Sequence, residues 1–224
     1  MSTSTEVRSH PSRVRRPDRI AGPFLVLGGV TFFAGGATHP GDSGEGSKVS
    51  QLREMLVDSM WYPSHTLLLV AMACFAAGII AIRLRGGVDA GTAKVVRVVS
   101  VIAVVAALGM TVHLFAATEA EALADGDTTF MYHLFAWIET LVNPLWALGI
   151  AALAVAGGLS RTLGNPMTLV LGVVGGLAHA LAAATIAFTD RFDALFPVGS
   201  LLGVWGVVVG LMVLLRKGGS APAA

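Results

Sequence analysis

Six apolar stretches, each close to the ~20 residues a helix needs to cross a bilayer, follow one another along this chain. They are Gly22–Thr38, Pro63–Ile82, Val95–Ala117, Met131–Ala156, Met167–Thr189 and Val198–Leu215. The breaks between them carry loop chemistry, among them His39-Pro40-Gly41-Asp42, Arg85-Gly86-Gly87, Asp125-Gly126-Asp127, Gly164-Asn165-Pro166 and Phe196-Pro197, where Gly, Pro and Asn punctuate helices. Inside a bilayer no water satisfies backbone N–H and C=O groups, so repeated apolar runs of this length must be helical. The expected fold is therefore all-α: a polytopic membrane protein with a six-transmembrane-helix bundle over 21–217. A disordered basic cytoplasmic tail is expected at 1–20 and a short disordered one at 218–224. Only 13% of residues are charged, against roughly 25% in soluble domains, and those charges cluster in the breaks.

Orientation follows from the basic residues, which favour cytoplasmic loops. With the N-terminus inside, Arg8, Arg13, Arg15, Arg16, Arg19, Arg83, Arg85, Lys94, Arg97, Arg161, Arg216 and Lys217 are cytoplasmic, and only Lys48, Arg53 and Arg191 are external. The expected location is the cell membrane, with both termini cytoplasmic. Acidic residues divide the other way: Asp42, Glu45, Glu54, Asp58, Glu119, Glu121, Asp125, Asp127, Asp190 and Asp193 all fall on the external side. The small residues Ala34-Gly35-Gly36-Ala37 give the first span some character of a secretion signal. The Pro17-Asp18-Arg19 that follows Arg15-Arg16 does not suit a twin-arginine signal, so a retained span is expected.

Several function classes drop out. The single cysteine, Cys74, rules out an intrachain disulfide and a cysteine-based metal motif. No phosphate-binding loop, dinucleotide fingerprint or nucleic-acid module occurs, so the expected partners are the lipid bilayer and a lipophilic substrate or quinone. No nucleic acid is expected.

Histidine is the informative residue. His39, His65, His113, His133 and His179 each lie in or at the edge of a different span. Ionisable groups in a membrane are costly and face the bundle interior or a wet cavity. Counting ~1.5 Å per residue along each helix puts His39, His65, His113 and His133 in one layer near the external face, with His179 deeper. Antiparallel neighbours bring the start of span 2 and the start of span 4 beside the end of span 3. His65, His113 and His133 are accordingly the expected cofactor-binding residues, and all five histidines are candidate metal ligands. Imidazole suits Zn, Cu and Fe, and haem iron takes axial histidine, so the cofactor expected is haem b or a transition metal, with His65 and His113 as the axial pair.

Glu139 lies within span 4, about two turns below the interface, with Asn143 one turn on and Pro144 behind it. It is a candidate proton donor, metal ligand or partner of a histidine. Two functions from different classes follow: a redox or metal protein built on the histidines, and an acid–base enzyme on a lipid-like or isoprenoid substrate, similar in general manner to small membrane terpene cyclases. In the second, Glu139 or Asp190 is the catalytic proton donor. A proton- or metal-coupled transporter is a third possibility. Small residues repeat beside the histidines, as in Gly28, Gly35 and His39, and span 6 carries Gly199, Gly203, Gly206 and Gly210. Such stripes allow close helix packing or leave room for a flat ligand. Trp61-Tyr62 reads as an interfacial aromatic belt.

The topology predicts that cysteines introduced at Ser43 and at Thr128 react with a membrane-impermeant maleimide added outside intact cells. Labelling only after the cytoplasmic side is opened would invert the assignment.

Overall fold

The computed structural model describes residues 18–216; the tails expected at either end lie outside them, apart from the residues that open the first helix. The described residues form ten α-helices: α1 (Asp18–Ala37), α2 (Lys48–Val57), α3 (Trp61–Arg85), α4 (Ala90–Phe115), α5 (Ala120–Ala124), α6 (Phe130–Trp137), α7 (Asn143–Leu159), α8 (Pro166–Thr185), α9 (Phe196–Gly199) and α10 (Leu201–Leu215). Six helical units are long and apolar enough to span a membrane: Ile20–Ala37, Trp61–Arg85, Ala90–Ala124, Phe130–Leu159, Pro166–Thr185 and Asp193–Leu215. This is the expected six-helix membrane bundle. Span 3 runs past Phe115 through a 3-10 turn, Ala116–Glu119, into α5.

Each span packs on its sequence neighbours, and α1 also packs on α10, so the six close into a ring. Glycine makes that closure possible. A Cβ on Gly29 would stand 2.3 Å from the Gly203 carbonyl oxygen, and one on Gly210 would stand 2.8 Å from that of Gly22. Gly203, Gly206 and Gly210 of span 6 thus seat α1, with Gly206 facing the Phe75 ring and the Leu25 carbonyl, whereas Gly199 meets His179 of α8. On the other side of α1, Gly28 and Gly35 meet α3 at Ala71 and Leu68. With no hydrophobic drive between helices in lipid, such backbone approach supplies the van der Waals attraction that holds them together.

The two ends of the ring differ. Towards the basic end the interior is filled: Leu25, Phe75, Ile79, Ile82, Val99, Trp146, Ile150, Leu153 and Val209 are buried against one another. Asp89 caps α4 there, accepting from the Gly91 and Thr92 amides. Hydrogen bonds, led by the Thr92 side chain, hold its carboxyl well below the usual carboxylate range. Towards the acidic end the interior opens into a cavity. Over that end lies α2, a helix in what reads as a loop. Ser47 caps it by accepting from the Ser50 amide, and Leu52, Met55 and Leu56, at spacings of three and four, pack towards Trp61, Leu123 and Phe135.

A Gly203→Val protein should lose about 1–3 kcal/mol of stability through overpacking, because the backbones of α1 and α10 cannot separate without opening the ring. Gly36→Ala, whose added methyl meets nothing within 4 Å, should be near neutral. Thermal unfolding of both in the same detergent checks this, and equal midpoints would show that the seam is not what closes the bundle.

Candidate metal centre

Three imidazoles meet at the acidic end. His39 follows the end of α1, His65 lies one turn into α3, and His113 lies in the last turn of α4. One ring nitrogen from each lies within 4.8 Å of the others, the geometry of a group able to hold a metal ion. The ring centres of His39 and His65 are 4.7 Å apart, and those of His65 and His113 are 4.6 Å apart. His65 and His113 are buried. His39 is exposed and lines the wall of the cavity. Its enclosure there, with the His113 imidazole beside it, holds its pKa below the ordinary histidine value.

The hydrogen bonds around these rings follow one pattern. His39 Nδ1 is 2.8 Å from the Pro40 carbonyl oxygen. His65 Nδ1 is 2.7 Å from the Trp61 carbonyl oxygen one turn before it, with the Ser64 hydroxyl also close. His113 Nδ1 meets Glu139 Oε1. A carbonyl or carboxylate oxygen only accepts, so Nδ1 is the protonated nitrogen in each ring. Nε2 is then left with its lone pair free. The Nε2 atoms of His65 and His113 are buried and have no hydrogen-bond partner, a costly state unless something binds them.

Local structure explains how Glu139 arrives. Pro144 has no N–H to offer the carbonyl of Thr140, four residues back. The turn before it widens to a π-helix over Ile138–Val142, with the Asn143 amide donating to the Ile138 carbonyl. Single π-turns inside membrane helices re-aim side chains. Here Glu139 and Asn143 are both buried, and Asn143 Nδ2 donates to Glu139 Oε1 at 2.8 Å. The carboxylate thus receives one bond from His113 and one from Asn143 on the same oxygen.

Trp61 completes the layer. Its ring is buried, stacks on His65 at 3.7 Å and on His113 at 5.3 Å, and its Nε1–H donates to the Leu114 carbonyl. The aromatic-belt expectation applies to exposed Tyr62 but not to Trp61, whose helical face turns inward with Ser64 and His65.

The other expected residues are placed apart from this cluster. His133 is exposed, with the neighbouring Tyr132 ring 5.4 Å away. Phe135 and Glu139 are buried on α6 and the turn after it, and at 100° per residue His133 stands about 200° round from Phe135. His179 lies in the wall of the same cavity but against the rings of Phe32, Trp146 and Phe196. Asp190 is half exposed and paired with Lys48, which also stands 3.8 Å from Asp193. This ion pair joins the start of α2 to the segment after α8, at the rim of the bundle.

The cavity measures about 560 Å³, within the range of small-molecule sites. Phe32, Phe33, Leu68, Met72, Met110 and Phe135 form much of its wall, α2 contributes Gln51, Leu52 and Met55, and His39, His113, Glu139, Asn143 and His179 are polar groups of the wall, with Asp42, Lys48 and Asp193 adding charge. Comparison with protein-family models, with curated proteins and with solved structures returned no match.

Replacing Glu139 by Leu strands the His113 Nδ1–H and the Asn143 amide, at about 1–3 kcal/mol for each buried donor left unpaired. Glu139→Gln keeps an acceptor at Oε1 and should lose markedly less. Thermal unfolding of the two variants checks this; equal losses would mean that the carboxylate holds neither partner.

Proposed function

We propose that this chain is a membrane metalloprotein that binds one transition-metal ion through Nε2 of His39, His65 and His113 and presents it to an apolar cavity. The observation that carries the proposal is the tautomer pattern: every ring commits Nδ1–H to an oxygen and keeps Nε2 free. That is how metal-ligating histidines are held, the backing oxygen fixing the ring and raising its basicity. Three nitrogens at ~2.0–2.1 Å in a tetrahedral site stand about 3.4 Å apart, so nitrogens up to 4.8 Å from one another need to close by at most about 1.4 Å. Three protein ligands leave a fourth position open, as in catalytic rather than structural sites. Histidine-only ligation suits Zn, Cu, Fe or Ni.

The stacked contact between His65 and His113 weighs against haem b. Axial imidazoles stand on opposite faces of the macrocycle, and two rings already in contact leave no space for it. The positive-inside distribution supports placing the acidic end, and with it the metal, on the external side of the cell membrane.

An acid–base enzyme acting on a lipophilic substrate is the alternative, favoured by the presence of Glu139 and His179 in one apolar cavity wall. Asp190 is less suited to it, being held by Lys48 at the rim.

Purified full-length protein in nanodiscs, stripped with chelator, should take up one Zn²⁺ per chain in isothermal titration. His65→Ala and His113→Ala should each weaken binding at least ~100-fold, and Glu139→Leu by about 10-fold, as loss of a backing partner does. His133→Ala should leave it unchanged. Undiminished stoichiometry and affinity in the His65→Ala/His113→Ala protein would overturn the proposal.

A further inference from the structure

The cavity continues below the histidines to a polar floor. Glu139 and Asn143 stand roughly 15–20 Å along the helix from Thr129, at ~1.5 Å per residue, deep in the span. Their hydrogen bonds leave a specific remainder. Both bonds to Glu139 end on Oε1, and neither uses Oε2. Asn143 gives its Nδ2 to Glu139, which fixes the amide orientation and leaves Oδ1 as an acceptor; that atom is buried with no partner, in a residue only 7% exposed. His179, in the same wall, touches aromatic rings and makes no hydrogen bond among the described residues. The floor therefore holds an acceptor, Asn143 Oδ1, that no donor meets, beside an imidazole, His179, whose ring can donate or accept.

From this we propose that the cavity is a binding site for an uncharged lipophile carrying a hydroxyl group, whose O–H donates to Asn143 Oδ1 once the side chains covering that atom shift aside, while its apolar body fills the space lined by Phe32, Phe33, Met72 and Met110. An unpaired buried acceptor strongly prefers a ligand that completes it, and a site built to hydrogen-bond a hydroxyl discriminates sharply against the analogue without the O–H. Water is a poor substitute tenant, since a cavity of about 560 Å³ with mostly apolar walls gives most water molecules too few polar partners. Charge selects further. The rim carries Lys48 as well as Asp42 and Asp193, but the Glu139 carboxylate lies at the floor, so fatty acids and phosphates would shed their water only to meet like charge there. An ammonium group would have to shed its water to reach the floor. The hydroxyl chemistry fits an isoprenoid alcohol or a quinol equally. The site is independent of the metal, because its contacts lie on Asn143 rather than on the free Nε2 atoms.

The test uses the full chain in nanodiscs and three matched probes: tritiated farnesol, its methyl ether and farnesylamine, each with and without chelator. Farnesol should bind saturably, one per chain, at least ~10-fold more tightly than the ether, and equally well after chelation. Asn143→Leu should remove that preference, bringing farnesol to the affinity of the ether. A short-chain ubiquinol then separates the two sources: competition with farnesol at higher affinity assigns the site to quinols, and weaker competition assigns it to isoprenoid alcohols, either result keeping the hydroxyl assignment. Equal binding of farnesol and ether to the unmodified protein would overturn the proposal without reliance on any variant. So would tighter binding of the amine, or loss of farnesol binding on chelation. That last result would place the hydroxyl on the metal and leave the metal reading standing, whereas absent Zn²⁺ uptake with retained farnesol preference would do the reverse.

Discussion

Backbone contact between α1 and α10 closes the bundle, and the interior exists only because of it. Gly29 against Gly203 and Gly22 against Gly210 let the first and last spans approach to a distance that any side chain would forbid. In lipid there is no apolar-surface drive to bring helices together, so close packing must supply the attraction. Once the ring is closed, side chains meet across it: Phe32 on Trp146 and Phe75 on Trp146. These aromatic contacts fill the interior below the site and end the open space above them. The cavity is what remains where the side chains of the acidic end are too few or too small to fill the ring.

Polar groups in such an interior must find partners within the protein. The histidine layer meets that demand in an uneven way. Every Nδ1–H is answered by Pro40, Trp61 or Glu139, whereas the Nε2 atoms of His65 and His113 are not answered at all. The same unevenness recurs at Asn143, whose amide nitrogen is satisfied and whose oxygen is not. A helical protein that tolerated these vacancies for packing alone would forfeit stability at each one. Two of them, on His113 and Asn143, belong to residues of the cavity wall, and the third, on His65, lies in the ring stacked on His113, which is the reason for reading the cluster as a site. The π-turn before Pro144 belongs to the same economy, since it costs regular helix geometry and in return brings Glu139 and Asn143 to one wall.

Some of the site was legible in residue positions. His65 and His113 fall at matching depth on antiparallel neighbours, so their meeting follows from counting along the helices. His39 at the end of span 1 joins them because α1 is the other neighbour of α3. His133 met the same depth criterion and stands outside, because depth says nothing of rotation about the helix axis. The placement of Phe135 and Glu139 on the buried face turns it away. Trp61 read as a membrane-interface residue because Trp-Tyr pairs at span ends usually are; its inward turn needed α3 to be seated. The α2 helix had a visible signal in Ser47 and in the spacing of Leu52, Met55 and Leu56, overshadowed by the acidic, glycine-rich segment before it.

The sequence by itself determined the six membrane-crossing helices, the separation of a basic end from an acidic one, and the layer in which the histidines lie. Those properties depend on length, composition and rise per residue, which are local. Only the tertiary structure decided which histidines face one another, that Nδ1 rather than Nε2 is occupied in each, and that an apolar cavity reaches from the rim to Asn143. Those depend on helix rotation and on which acceptor each ring happens to meet, set by contacts between residues as far apart as His113 and Glu139, and no property of either segment alone contains them.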